Sequence, residues 1–243
     1  MKFSFFPFSF LLALLLVSTS CDSQKTVQDA ADNSGAASIS TKASAIAGDF
    51  TIEELDAKYP GMEKAYLAGG CFWCTEASLD RIKGVADVWS GYAGGEEVNP
   101  TYYEVAAGNT GHAEAIVVYY DPEVITYDEI LDVFFVAHDP TQLNRQGPDR
   151  GTQYRSTIFP IGEEQERIAR AKIKALDDSG KFSSKIVTTI EDPIVFYLAE
   201  GYHQDYYEDT SNPNQSYVQG VSKPKVEKVM KVFRDRLKEE FLK

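Results

Sequence analysis

Apolar and polar positions change period several times along the chain, and each change marks an element. Over 113–120 they alternate, with Glu114, Ile116, Val118 and Tyr120 on one side and Ala115, Val117 and Tyr119 on the other, the period of a strand. Glu114 therefore shares a side with apolar neighbours. Thr126 and Glu129 then stand at capping-box spacing, and Tyr127, Ile130, Leu131, Phe134 and Phe135 recur at helical intervals, which predicts a helix over 127–137. A short strand is predicted over 64–68. The residues after it put Phe72, Thr75, Leu79 and Ile82 on one helical face before Gly84 stops the run.

Strands are also expected over 156–160 and 186–190, and helices over 163–176 and 225–242, the last with Val226, Val229, Met230, Phe233 and Leu237 inward. The stretch 139–155 has no period and is punctuated by Pro140, Gly147, Pro148 and Gly151. A polar loop of that length in a domain is a binding or active-site element or is disordered; its run into the strand at 156 favours order. Strands and helices in mixed order predict an α+β or α/β two-layer sandwich, a mixed central sheet with flanking helices.

The N-terminal pattern differs. One charge, Lys2, precedes an apolar run through Leu11, Leu12, Leu14, Leu15, Leu16 and Val17, then the small residues Ser18, Thr19 and Ser20 lead to Cys21. This reads as a secretory signal peptide over 1–20, too short to span a membrane convincingly. Cys21 sits where a bacterial lipoprotein is cleaved and lipidated, although Ser18 stands where leucine is usual. The expectation is a lipid-anchored protein on the periplasmic side of the cell envelope, with plain secretion and a leftover thiol as the alternative. From 22 to 60 the chain is rich in Ser, Ala, Asp, Thr and Gln and reads as a flexible tether, with a possible short docking helix over 50–59. The predicted organisation is thus signal peptide 1–20, anchored tether 21–60 and one catalytic domain 61–243.

Charge narrows the partners. The 24 basic and 37 acidic residues leave a net charge of −13, which argues against nucleic acid or an anionic membrane surface. No heptad or large apolar stripe suggests more than a monomer.

The candidate chemistry lies at the junction of the first strand and helix, Gly69-Gly70-Cys71-Phe72-Trp73-Cys74-Thr75-Glu76. A thiol at a helix N-terminus faces unpaired N–H groups and the positive dipole end, so Cys71 is expected to ionise near neutral pH. The glycines are expected to turn the backbone and leave room beside the sulfur. With three cysteines in all, one of them Cys21, the pair Cys71 and Cys74 is no disulfide framework. Zinc needs two more ligands, and His112, His138 and His203 are too scattered to supply them at familiar spacings, so no metal is expected. A redox pair remains. On a regular helix its β-carbons stand about 5–6 Å apart, whereas a disulfide wants about 3.8 Å, so bonding them must distort the first turn. Thioredoxin-like exchange is one candidate. Large rings at Phe72 and Trp73 suit instead a small soft group such as a methyl on sulfur, unless they are simply core packing.

The stretch from Gly70 to Glu76 resembles the signature of the A-class peptide methionine sulfoxide reductases. The resemblance continues through Asn99-Pro100-Thr101-Tyr102, Gly111-His112-Ala113-Glu114-Ala115, His138-Asp139-Pro140-Thr141-Gln142, Arg145-Gln146-Gly147, Asp149, Gly151-Thr152-Gln153-Tyr154-Arg155-Ser156, and Glu200 with Tyr202-His203-Gln204. It implies that Cys71 attacks the sulfur of a methionine S-sulfoxide, free or in an oxidised protein, and becomes a sulfenic acid while methionine leaves. By the same resemblance Glu114 is the proton donor, Phe72, Trp73, Tyr102, Asp149 and Tyr154 bind the substrate, and His112 is structural. His203 is left as a hydrogen-bonding partner and Glu76 without a chemical role. Many relatives resolve the sulfenic acid with C-terminal cysteines; here no cysteine follows Cys74. Cys74 is therefore expected to form a disulfide with Cys71, which an external dithiol of thioredoxin type reduces, with no bound cofactor.

Overall fold

Two strands paired in the middle of one sheet carry the chemistry to a common edge. The computed structural model describes residues 51–192 and 195–242; the expected signal peptide, Cys21 and the tether up to residue 50 lie outside the described residues. In chain order the main elements are α1 (Ile52–Lys58), β1 (Glu63–Gly69), α2 (Phe72–Asp80), β2 (Val85–Ala93), α3 (Tyr102–Ala106), β3 (Ala113–Tyr120) and α4 (Tyr127–Ala137). They continue with β4 (Arg145–Gln146), β5 (Asp149–Arg150), β6 (Ser156–Phe159), α5 (Gly162–Asp178), β7 (Thr189–Ile190), β8 (Tyr197–Leu198), α6 (Gln215–Tyr217) and α7 (Lys223–Val232).

Six strands form a mixed sheet in the order β7-β6-β1-β3-β2-β8; β6 and β7 run parallel and the other pairs antiparallel. This is the mixed sheet with flanking helices that the pattern predicts. The alternation along β3 sorts its side chains as expected. Ile116, Val118 and Tyr120 join the larger core with residues of α2, α4 and α7, while Ala115, Val117 and Tyr119 join a second core on the opposite face. Both faces are covered, so every residue of β3 is buried, Glu114 included.

Local signals account for several boundaries. Thr126 Oγ1 accepts from the Glu129 N–H at 3.3 Å, and the Thr126 N–H donates to Glu129 Oε2 at 2.9 Å, which starts α4 where the capping box predicts. The same reciprocal cap at Thr101 and Glu104 starts α3, an element the periodicity does not reveal because it is only five residues long. The strand β2 is likewise absent from the predicted elements. Eight of its nine residues are buried and its register shifts between Val85 and Asp87, so no apolar and polar alternation marks it.

Three expectations are corrected. The folded part begins earlier than residue 61: the short docking helix read over 50–59 is α1, and it carries Leu55, fully buried, into the second core. The strand expected over 186–190 is reduced to β7. The last helix ends at Val232 rather than running to 242: Phe233 leaves helical geometry, and Leu237 is buried where it bridges Ile82. Burying that leucine contributes about 1.5–3 kcal/mol, more than one further helical turn would add. Among the described residues no helix is long and apolar enough to cross a membrane.

Candidate active site

Cys71 is the residue between β1 and α2, with Gly70 before it at φ 89. That left-handed turn is open to glycine at little cost. Its purpose is not the open space beside the sulfur that the sequence suggests. A β-carbon on Gly70 would lie 2.5 Å from the Gln146 side chain, and one on Gly69 would lie 2.8 Å from Phe134. The glycines let the turn press against α4 and the 139–155 loop. That loop is ordered, as expected: β4 pairs with β5, and Gln146 accepts from the Asp139 N–H at 3.2 Å and donates to the Asp139 carbonyl at 3.1 Å.

Cys71 is nearly buried, yet its side chain meets a cavity of about 230 Å³. Trp73, Tyr102, Glu114, Asp149 and Tyr154 line the same cavity, so the tertiary structure gathers residues separated by up to 83 positions, as the resemblance implies. Phe72 is the exception among the expected binding residues. Its ring is fully buried against Trp73, Tyr92 and His203 and is not on the wall. The reason is helical: neighbouring positions point about 100° apart, so Phe72 packs against Tyr92 of the sheet while Trp73 reaches the cavity. What Phe72 offers the site is its backbone N–H, which donates to Glu114 Oε2 at 3.1 Å.

Glu114 pairs with Tyr92 across β3 and β2, under the start of α2. Burial pushes its carboxyl up to about 8, against the hydrogen bond from Phe72, which alone would lower it. At neutral pH it is a protonated acid facing the cavity. Burial raises the Tyr102 and Tyr154 hydroxyls, and the Glu114 carboxylate adds to this once it has ionised, so both phenols stay protonated. The two phenols are positioned together. Glu200 accepts from the Tyr102 N–H at 2.9 Å and from the Tyr92 hydroxyl at 2.8 Å, and Gln153, beside Tyr154, donates to the Ala106 carbonyl of α3 at 2.9 Å.

Trp73 is locked. Its ring stacks on Tyr206 at 3.8 Å between centroids, and its indole N–H donates to His203 Nδ1 at 3.2 Å. Burial lowers His203 to about 4, so this histidine is a neutral acceptor, the hydrogen-bonding partner expected of it. His112 also has a structural place: Nδ1 accepts from the Gly95 N–H at 3.2 Å and Nε2 donates to the Glu97 carbonyl at 2.8 Å. Glu76 is buried, accepting from the Ser90 hydroxyl at 3.0 Å and the Asp205 N–H at 3.1 Å, and so ties α2 to β2 and to the 200s segment.

Two lining residues escape sequence reasoning, Asn214 and Tyr217. The Tyr217 hydroxyl donates to Asp149 Oδ2 at 2.6 Å and lies within hydrogen-bonding reach of Cys71. Neither has periodicity or a motif to mark it; the short helix that carries Tyr217, with Asn214 just before it, docks only through the tertiary fold.

The cysteine pair is free and buried, and its charge is distributed against expectation. Burial, then the neighbouring Cys74 thiol, hold the Cys71 thiol well above its usual range, so the helix terminus does not ionise it in the reduced protein. Cys74 is instead lowered to about 7 by its hydrogen bond with Cys71, with Lys225 and Ser222 adding to that against burial. Cys71 and Cys74 are already drawn together: the Cys74 N–H donates to the Cys71 carbonyl at 3.1 Å, an i to i+3 bond that tightens the first turn. Among the described residues no group of three or more His, Cys, Asp or Glu side chains is arranged to hold a metal ion.

A nucleophilic sulfur, a protonated carboxyl and two phenolic donors around one small cavity can reduce a polar S=O group while an aromatic wall takes its apolar substituent. Comparison with known proteins agrees. Residues 63–237 match the family model described as peptide methionine sulfoxide reductase. The chain is 53% identical over 175 residues to the peptide methionine sulfoxide reductase MsrA of a Nitratiruptor species, covering 72% of this chain and 98% of that one. Among solved structures it is similar to methionine sulfoxide reductase A of Corynebacterium diphtheriae, at 36% identity and TM-score 0.57 over 62% of this chain and 76% of that one. It is also similar to the reduced form of Mxr1 from Saccharomyces cerevisiae, at 41% identity and TM-score 0.56 over 62% of this chain and 86% of that one. The chain therefore belongs to the peptide methionine sulfoxide reductase family, enzymes that return methionine sulfoxide to methionine.

Proposed function

We propose that this enzyme reduces the S epimer of methionine sulfoxide, free or exposed on oxidised proteins, with Cys71 as nucleophile, Glu114 as acid and Cys74 as resolving thiol. The observation that carries this reading is the shared cavity of Cys71 and protonated Glu114. Glu114 gives its proton to the sulfoxide oxygen, helped by hydrogen bonds from Tyr102 and Tyr154. Positive charge then grows on the substrate sulfur, beside a thiol that burial has kept neutral. That charge favours the Cys71 thiolate, so ionisation is coupled to a bound and protonated substrate. The Cys71 sulfur is oxidised by two electrons to the sulfenic acid and the substrate sulfur is reduced by two to the thioether. The thiol proton restores Glu114.

Cys74 then attacks the sulfenic sulfur to give the Cys71–Cys74 disulfide, and an external dithiol of thioredoxin type reduces it. No bound cofactor enters this scheme, and one copy of the chain suffices. The test is a single-turnover assay on the separated epimers with thiol mass analysis. Cys71→Ser should yield no methionine, and Cys74→Ser should yield one per enzyme and then stop. Turnover by Cys74→Ser with thioredoxin, or equal use of both epimers, would overturn the assignment.

The N-terminal stretch supports an exported form, anchored through lipid on Cys21 and held to the domain by the tether, on the periplasmic side of the envelope. Its reductant is then a thioredoxin-like domain on that side. Membrane fractionation of the full chain and of Cys21→Ser tests this: release of the variant from the membrane is expected, and equal solubility of both would refute it.

A further inference from the structure

The helical run that packs against Cys74 begins at 215, ten residues before the predicted start at 225. Residues 215–232 form one continuous helical run made of α6, a wide π-helical turn over Val218–Ser222, and α7. Pro224 lies inside it. A proline there offers no N–H to the carbonyl four residues back and crowds that carbonyl, and the wide turn relieves the conflict, with the Lys223 N–H donating to the Val218 carbonyl. The run then puts Tyr217 at Asp149 and two later residues at the other cysteine. Ser222 Oγ and Cys74 Sγ are hydrogen-bonded at 3.2 Å with both side chains buried, and Lys225 Nζ donates to Cys74 Sγ at 3.8 Å.

We infer that Ser222 and Lys225 are positioning residues for the second half of the reaction, holding Cys74 as a thiolate aimed at the Cys71 sulfenic acid. This rests on the assignment of Cys74 as resolving thiol. In the step concerned, the S–S bond forms as the S–O bond of the sulfenic acid breaks. The Cys71 sulfur is reduced by one electron, the Cys74 sulfur is oxidised by one, and the oxygen leaves as water after taking up one proton. Cys71, Asp149, Glu114, Tyr207 and Tyr217 are the other ionisable groups that act on Cys74 or feel it, and each can carry only negative charge. Lys225 is the cation of this set. Among the described residues its ammonium makes no ion pair with a carboxylate, and its charge acts on the Cys74 thiol, which it touches, as well as on Glu114 and His138.

The experiment mixes fully reduced full-length protein with one equivalent of methionine sulfoxide, quenches by acid, and follows methionine release and the Cys71–Cys74 disulfide separately. For Lys225→Met and Ser222→Ala, disulfide formation relative to methionine release should slow roughly threefold to tenfold at pH 7, with the sulfenic acid trapped by a 1,3-dione. Lys225→Arg should restore it. Near about pH 9 the difference should close or reverse, because Cys74 then ionises unaided and a thiol of higher pKa is the better nucleophile. Should Lys225→Met fail to fold, Ser222→Ala carries the test. Unchanged ratios at pH 7 in the variants, while the wild type still forms the disulfide, would overturn the inference alone. A wild type that forms no such disulfide would overturn the role of Cys74 itself, and this inference with it.

Discussion

The backbone N–H of Phe72 donates to Glu114 Oε2 across a separation of 42 residues, joining the first turn of α2 to the middle sheet. One carboxyl oxygen is thereby fixed, and the group lines the cavity beside Cys71. The aromatic residue expected to touch the substrate contributes its main chain instead.

Glu114→Gln should therefore keep the geometry and lose the acid. Methionine release in a single turnover is expected to fall on the order of 10²–10⁴-fold, the range for removing a general acid. In the wild type the same rate should decline as pH rises through about 8, where Glu114 gives up its proton. A stopped-flow profile from pH 6 to about 9 checks both; a rate that climbs through that window would exclude Glu114 as the donor.

Glu114→Gln should gain in stability what it loses in activity. The folded protein holds on Glu114 a proton that the unfolded chain loses above the ordinary value of 4.5. Below that pH the two states are equally protonated. Between about 4.5 and 8 the folded state binds more proton, so stability falls with rising pH. Replacing the group by the neutral amide removes this penalty, on the order of 3 kcal/mol at pH 7. Urea unfolding of Glu114→Gln and wild type at pH 5 and 7 should show a gap that widens with pH.

Tyr102→Phe and Tyr154→Phe each remove one hydroxyl from the cavity wall, a donor to the sulfoxide oxygen under the proposed function, and leave the ring. Each is expected to slow methionine formation on the order of 10²-fold, the scale for an oxyanion donor in a water-poor site. The double variant should lose more than the product of the two, because in each single variant the remaining phenol still serves the same oxygen. Rapid-quench measurement of the first turnover decides it.

Gly70→Ala tests the turn that delivers Cys71. Its positive φ and the 2.5 Å approach to Gln146 should together cost roughly 2–4 kcal/mol. Denaturant midpoints measure the loss, and Gly147→Ala is the control, at a positive φ with nothing within 4 Å. A smaller loss is expected there.

Leu55→Ala should destabilise by about 2–5 kcal/mol, since this side chain of α1 is fully buried in the second core. A chain trimmed to residue 61 should show a loss at least as large. If thermal unfolding of the trimmed chain matches the full domain, α1 is dispensable.

Much of the architecture is legible in the sequence because it rests on local rules. The alternation of β3, the capping box of α4 and the strand-to-helix passage at Gly70 and Cys71 are written in neighbouring residues, and the structure places all three where the pattern does. What lacks a local mark is not legible: β2, buried on both faces; α3, shorter than a period can register; and the π turn that accommodates Pro224 inside a helix.

By itself the sequence determined which residue types are available for chemistry and the order in which they occur, and through its motifs the family to which they belong. The tertiary structure decided which of them meet and in what charge state. Burial and long-range neighbours set these, and neither is a property of a single segment. So burial raises the Cys71 thiol although the residue stands at a helix N-terminus, Cys74 sits beside Ser222 and Lys225, and Tyr217 joins a site to which no motif assigns it.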